Sequence, residues 1–308
     1  MSSQSSNQIR GLISDIQRFS IHDGPGIRTT VFLKGCPLAC YWCHNPETQA
    51  AHPQIMIHRN LCIRCGNCVN ACPVGCIRLD ADGVRIDRSK CLQCGACARA
   101  CPAEALKLDS RWMTPAETLS VLRVDASFYQ QSGGGVTFSG GEALTQIDFL
   151  QETLRLCKSE GYHTTVDTSG YCEQATLERI LPFTDLFLYD LKAGDDATHV
   201  RGTGKHLQTI HDNLRFLVQK GAAIYIRIPI IPGFNDNDEE MGKIAAFLTP
   251  MANAIARVEL LPFHRLGIVK YEALDRAYKA ADLAPVSQER MRRLARPFYT
   301  AFDQVEIG

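Results

Sequence analysis

The sequence predicts an α/β protein built on a parallel sheet, open or curled toward a barrel, with a small cysteine-rich insert placed early in the chain. Two observations carry that expectation. Six β-branched, apolar stretches alternate with amphipathic ones, the pattern of strands joined by right-handed helical crossovers. Of 14 cysteines, all but Cys157 and Cys172 lie between Cys36 and Cys101, which sets that region apart from the rest.

Residues 29 to 35, TTVFLKG, are β-branched and apolar and end in glycine, as a buried strand does. After the cysteine-rich region, Thr114 and Glu117 form a capping box with Pro115 in the first turn, which starts a helix. Further strands are expected at 135 to 139, 162 to 167, 185 to 191, 222 to 230 and 257 to 262. Amphipathic helices fit 145 to 160, 173 to 181, 206 to 220 and 236 to 249, each bounded by Gly, Asp, Asn or Pro. A final helix over about 287 to 302 closes the chain.

The cysteines form two patterns. Cys62, Cys65, Cys68 and Cys72 precede Pro73, and Cys91, Cys94, Cys97 and Cys101 precede Pro102, both reading C-x2-C-x2-C-x3-C-P. This is the bacterial ferredoxin spacing, in which three cysteines hold one cubane and the fourth reaches across to the other. The expected ligand sets are therefore Cys62, Cys65, Cys68 and Cys101 for one [4Fe-4S] cluster, and Cys91, Cys94, Cys97 and Cys72 for the second. Structural zinc is the competing reading, but zinc ribbons pair two C-x2-C knuckles and need neither the third cysteine nor the proline. Cys76 has no place in the pattern and reads as a small buried residue. Upstream, Cys36, Cys40 and Cys43 are three thiols without a fourth, so a cubane held by them keeps one iron open to another ligand.

The bulk composition excludes several classes. Hydrophobic residues make up 45% and charged residues 21%, as in an ordinary globular protein, and Lys plus Arg equals Asp plus Glu at 33. No net field recommends nucleic acid or an anionic membrane as partner. The N-terminal MSSQSSNQIRG has no apolar core of a leader, and no apolar run spans a bilayer. A cytoplasmic protein is expected, in which clustered thiols serve metals and not disulfides.

Ligands of such sheets lie at the carboxyl ends of the strands. There the sequence places the cysteine triad, then Ser139-Gly140-Gly141-Glu142, Asp167-Thr168-Ser169-Gly170, Asp190-Leu191-Lys192, Arg227, and Pro262-Phe263-His264. Each alone reads as a turn, a cap or a satisfied polar group; six together suggest one cup.

The C-x3-C-x2-C spacing, with Trp42 before the last cysteine, resembles the signature of the radical S-adenosylmethionine superfamily. The stretches HDGPGIRTTVFLKGCPLACYWCHNPET, GGGVTFSGGEAL, VDTSGY, LYDLK, IRIPIIPGFN and ELLPFH, spread over residues 22 to 264, are similar to activating enzymes of glycyl radical enzymes. Within that family the insert resembles that of the subgroup serving dehydratases, decarboxylases and C–N or C–S lyases. The resemblance implies a partial (β/α)6 barrel over 1 to 55 and 109 to 308, with a ferredoxin-like insert over 56 to 108. It further implies three [4Fe-4S] clusters and cleavage of S-adenosylmethionine to a 5'-deoxyadenosyl radical that removes hydrogen from a partner's glycine.

Residue by residue, the resemblance implies that Gly140, Gly141 and Glu142 receive the methionine ammonium and Lys192 the carboxylate. His264 and Trp42 would lie by the cofactor, and Arg227 would support the cup. Asp167, Thr168 and Asp190 would form a monovalent cation site. Flavodoxin or ferredoxin would be the reductant, and the chain would act as a monomer. Ala143 departs from the proline often found after Gly-Gly-Glu, a change expected to matter little. The turn Asp23-Gly24-Pro25-Gly26 reads as a cover for the cofactor, a contact for the protein substrate, or a plain connection. Cys157 and Cys172 read as structural. A polyferredoxin without substrate would leave the strand ends unexplained, whereas a radical enzyme acting on a small molecule or peptide is the alternative that uses them.

Overall fold

The computed structural model describes residues 9–81 and 83–308; residues 1–8, part of the stretch read above for a leader, lie outside the described residues. The strands are β1 (Gly11–Ser20), β2 (Arg28–Leu33), β3 (Ile55–Ile57), β4 (Ile77–Asp80), β5 (Gly83–Ile86), β6 (Leu106–Leu108), β7 (Arg111–Met113), β8 (Gly135–Gly140), β9 (His163–Thr168), β10 (Leu186–Asp190), β11 (Ile224–Ile230), β12 (Ile255–Pro262) and β13 (Val305–Ile307). Among the described residues, nine of them join one sheet in the order β13-β12-β11-β10-β9-β8-β2-β1-β7.

The six expected strands are β2 and β8 to β12, and every neighbouring pair among them is parallel. In β2, β8, β9 and β10 most residues are buried on both faces, Thr as well as apolar ones, because helices cover one side and packed side chains the other. Helix Ile147–Ser159 shows how: Phe149, Leu150, Thr153, Leu154 and Cys157 are buried at helical spacing against the sheet. Sequence reading missed three strands of this sheet and the four short strands β3 to β6 outside it. β1 pairs antiparallel with β2 and β7, and β13 adds a parallel edge beside β12.

Several helices differ from expectation, and two show why. The last one runs only over Gln288–Ala295 and passes into a short 3₁₀ turn at Arg296–Phe298, because Pro297 has no N–H to continue the ladder. A helix at Asp196–Thr203 was not foreseen, since DATHVRGT carries no apolar stripe. Its signal was local: the Asp195 side chain accepts from Thr198 N at 2.8 Å, and Gly204 ends it at φ +75°.

Residues 55 to 108 leave the sheet between β2 and β7. β3 pairs antiparallel with β6 and β4 with β5, around a separate apolar cluster that includes Ile55, Ile57, Ile77, Val84 and Leu106. Gln54 and Asp109 close this excursion through two bonds of 2.9 Å, from Gln54 N to Asp109 Oδ1 and from Asp109 N to Gln54 O.

On the other flank, buried Asp125 accepts from Arg18 and from Thr29 Oγ1, the latter at 2.7 Å, and Thr29 in turn accepts from the Tyr129 hydroxyl. The Arg18 hydrogen bonds hold the Asp125 carboxyl below its ordinary range. Stability from this group is therefore complete above the unfolded carboxyl pKa and is lost as pH falls through the lower folded value. Asp125→Ala is expected to lower stability by ~1–3 kcal/mol at neutral pH. The gap between variant and wild type should close in denaturant melts below about pH 4, the unfolded carboxylate range.

Candidate functional site

The carboxyl ends of β2 and β8 to β12 form one cup. β2 delivers Lys34, Gly35 and then the cysteine loop. Lys34 is completely buried, and its Nζ donates to Asp109 Oδ2 at 2.5 Å and to the Glu47 carbonyl. Gly141 N donates to Leu33 O at 2.9 Å and Glu142 N to Gly35 O at 2.8 Å, so the two loops are laced together by backbone. Gly140, at φ +118°, has its Cβ position 2.2 Å from Leu33 O, and a Cβ at Gly141 would stand 2.5 Å from Gly35 O. Only glycine permits that approach.

The cysteine loop is anchored on its far side by helix Asp196–Thr203. Ala39 N donates to Thr203 O and Tyr41 N to Gly202 O. Trp42 is 5% exposed and packs on Phe234 with ring centroids 4.4 Å apart, beside Ala193, Ile231 and Phe263. It thus belongs to a small apolar core that holds the loop. Burial pushes the thiols of Cys36 and Cys40 up to about 12 and raises Cys43 as well. Thiols so placed become thiolates when a metal takes the proton's place. Glu142 lies close enough to raise Cys36, and Lys192 to lower Cys40, so both expected cofactor residues stand beside the triad.

Glu142 is held by a dense set of donors. Its carboxylate is buried and accepts from Thr168 Oγ1 at 2.7 Å, Ser169 Oγ at 2.6 Å, Ser169 N at 2.9 Å and Leu144 N at 3.3 Å. Four donors use the acceptor sites a carboxylate has. Glu142 is a brace between the ends of β8 and β9. The sequence could not show this, because its partners come from the next strand.

The residues expected to form the cation site are joined to protein cations and hydroxyls. Asp167 accepts from Ser139 Oγ at 2.6 Å and pairs with Arg227 Nη1 at 3.3 Å, while Asp190 pairs with Lys192 Nζ at 2.5 Å. Thr168 Oγ1 is engaged with Glu142 and Gly170 N. Protein cations thus occupy the two carboxylates. Among the described residues, no group of three or more His, Cys, Asp or Glu is arranged to hold a single metal ion. A thiolate set around one zinc, with Zn–S about 2.3 Å, is tighter than one around a cube of four irons.

At the cup floor, burial opposes the charge of Arg227, yet Asp167, Asp190, Asp23 and Glu259 outweigh it and hold the guanidinium above its ordinary value. Asp167 is pushed up to about 6, chiefly by burial, with Arg227 pulling the other way. Lys192 is raised because Asp190 and Cys40 outweigh its burial. The Asp23 turn folds beneath the cup: its carboxylate accepts from Thr30 Oγ1 and its carbonyl from Thr137 Oγ1, both at 2.7 Å. At the rim, His264 stacks on His44 at 3.8 Å. Sequence reading missed His44, although it follows Cys43 directly.

Two buried polar atoms here lack a hydrogen-bond partner, His44 Nε2 and Arg227 Nε. Such atoms in a native cup fit a polar ligand. In the insert, Cys62, Cys65, Cys68 and Cys101 line one small cavity with Leu79, Val84 and Leu106, and Cys72, Cys76, Cys91, Cys94 and Cys97 line a second. Cys157 is wholly buried in the main core, and Cys172 packs against it.

Comparison with known proteins agrees with this geometry. The family model described as the radical SAM superfamily matches residues 30–245. The trans-4-hydroxy-L-proline dehydratase activating enzyme of Clostridioides difficile is 42% identical over 96% of this chain and 99% of its own. The benzylsuccinate synthase activating enzyme of Thauera aromatica is 43% identical over 90% and 87%. Among solved structures, a radical SAM methyltransferase from Sphaerobacter thermophilus shares the fold at a TM-score of 0.53 and 15% identity, covering 96% of this chain and 76% of its own.

Two outcomes follow from the braces. Lys34→Met, which strands the buried Asp109 carboxylate, should cost about 3–5 kcal/mol in denaturant melts, with Asp109→Asn in the same chain recovering over half. Glu142→Gln sets an amide NH₂ against donors from Thr168 and Ser169 and should lower the thermal midpoint, at a cost of ~1–3 kcal/mol.

Proposed function

The chain belongs to the radical SAM superfamily and, within it, to the activating enzymes of glycyl radical enzymes, and from this membership we propose how its own residues serve that reaction. The reaction is reductive cleavage of S-adenosylmethionine to methionine and a 5'-deoxyadenosyl radical, which abstracts hydrogen from a glycine α-carbon of a partner glycyl radical enzyme. The observation that carries the reading is the convergence of three half-buried cysteines, Cys36, Cys40 and Cys43, with Lys192 near them at the strand ends.

Those three cysteines would hold a [4Fe-4S] cluster, which would supply the electron for reductive cleavage. Every other task falls to the cup. Lys192 exchanges part of its pairing with Asp190 for the methionine carboxylate, a charge-assisted contact that orients the sulfonium. The ammonium meets the Gly140-Gly141 backbone, which Glu142 keeps in place through Thr168 and Ser169. Arg227 offsets the floor carboxylates, so the site does not carry several unpaired negative charges. His264, stacked on His44, lines the rim on the nucleoside side. Trp42 acts from behind, by holding the cysteine loop against Phe234.

The insert, residues 56 to 108, is a two-cluster relay. Cys62, Cys65, Cys68 and Cys101 hold one cubane and Cys91, Cys94, Cys97 and Cys72 the other, a partition that the two cavities support. Flavodoxin or ferredoxin supplies electrons, and the chain works as a cytoplasmic monomer. Among the described residues, no helix is long and apolar enough to cross a membrane. For the glycine loop of the partner, Leu266 and Val269 offer exposed apolar side chains just beyond His264.

The test combines this protein, a reductant and S-adenosylmethionine with a candidate glycyl radical enzyme under anaerobic conditions. A doublet in the electron paramagnetic resonance spectrum of the partner should collapse when its target glycine is α-deuterated, with label appearing in 5'-deoxyadenosine. Label arriving only from a small metabolite would replace the protein substrate with a small-molecule one. Replacing Cys36, Cys40 and Cys43 with Ala should lower iron from about 12 to about eight per chain and abolish cleavage.

A further inference from the structure

The two cysteine motifs of the insert are matched in backbone as well as in sequence. Arg64 and Gln93 both adopt positive φ (59° and 57°), Gly66 and Gly95 follow at 77° and 71°, and Gly75 and Glu104 repeat the conformation at 61° and 50°. Short helices Asn67–Asn70 and Ala96–Arg99 occupy equivalent places. By this correspondence, Cys72-Pro-Val-Gly-Cys76 lies over Cys101-Pro-Ala-Glu-Ala105. The first cavity has Ala105 in its wall where the second has Cys76.

The second cavity is therefore lined by five thiols and the first by four. Cys76 is 6% exposed, and its Sγ lies 3.4 Å from that of Cys72, the ligand that reaches across from the first motif. Cys72 is only half-buried, whereas Cys76 is buried at the start of β4 among Ile55, Ile77 and the other cluster thiols. A side chain kept only for packing needs no sulfur there, since Ala105 fills the corresponding place in the other half.

We propose that Cys76 is an alternative ligand to the second cluster, able to take over the iron that Cys72 holds. In the exchange the Fe–S bond to Cys72 breaks, the Fe–S bond to Cys76 forms, and the Cys76 thiol proton passes to the Cys72 thiolate. No electron moves, so the cluster keeps its oxidation state. Half-buried Cys72 is more open to solvent than buried Cys76, and the inner thiol lets the cluster survive loss of the outer one. The first cluster has no such reserve. This inference rests on the two-cluster reading of the insert.

The test uses the full chain, reconstituted anaerobically, with iron and sulfide analysis and the low-temperature spectrum of the reduced clusters as readouts. Wild type should hold about 12 irons. Cys72→Ala should keep about 12, with a shifted second-cluster signal, while Cys72→Ala with Cys76→Ala should fall to about eight. Cys101→Ala, lacking a reserve, should fall to about eight, and Ala105→Cys in that background should restore about 12. Cys72→Ser, which preserves the side-chain volume, separates ligand loss from packing loss. A deficit of about four irons in both Cys72 variants overturns the exchange. A wild-type chain holding only about four irons would instead remove the two-cluster reading itself.

Discussion

The Lys34–Asp109 pair is the contact on which the rest of the molecule depends. Lys34 ends the strand that delivers the cysteine loop, Asp109 ends the insert, and the same ammonium takes the Glu47 carbonyl just past the triad. Both side chains are fully buried, so water does not share the load, and burial by itself would lower the Lys34 pKa. Such a pair contributes little net stability against an apolar replacement, yet its halves cannot be separated without stranding a charge. Its worth is positional. It holds β2, the turn after Cys43 and the junction at Gln54 in one arrangement, and the cluster loop has no freedom to drift from the strand ends.

The alternation of strands and helices was legible because the six parallel strands are rich in β-branched, aliphatic or aromatic residues and each long helix has one buried stripe. β1 was not, since GLISDIQRFS mixes Asp15, Gln17 and Arg18 into an antiparallel strand with an irregular register. The three residues of β13 are too few to show a period, and helix Asp196–Thr203 declares itself only through its caps. The cysteine spacing identified all 11 proposed cluster ligands because a metal imposes its geometry on local sequence. The charge network did not follow from sequence. Glu142 meets Thr168 and Ser169, Asp167 meets Arg227, and Asp190 meets Lys192, and all but the last are pairings between different strands, visible only once register is known.

That network explains how the cup holds so many ionisable groups. Arg227 sits among Asp23, Asp167, Asp190 and Glu259, and none of these charges would be tolerated alone at such burial. Their balance is incomplete at Arg227 Nε and at His44 Nε2. In the proposed binding mode a zwitterionic amino acid group would match this state, because its carboxylate would share Lys192 with Asp190 while its ammonium would draw on backbone carbonyls. Binding then redistributes existing pairs and does not have to bury new isolated charge.

The segment after β12 joins this cup to the insert. His264 stacks on His44, Lys270 Nζ reaches Glu47 Oε1 at 2.6 Å and Asn45 Oδ1 at 2.7 Å, and the Tyr278 hydroxyl meets the Trp42 carbonyl. From the other side, Arg59 and Arg88 of the insert converge on Asp275, which holds a positive φ of 54°. These ion pairs are partly exposed, and pairs of that kind contribute about 0–1 kcal/mol each. They are too weak to fix the insert by themselves. With Lys34–Asp109 fixing the insert at its junction, however, weak contacts suffice to select its orientation. A partner seated on Leu266 and Val269, in this same segment, would bear on the cysteine loop and the insert together, which places substrate docking and electron supply on one connected element.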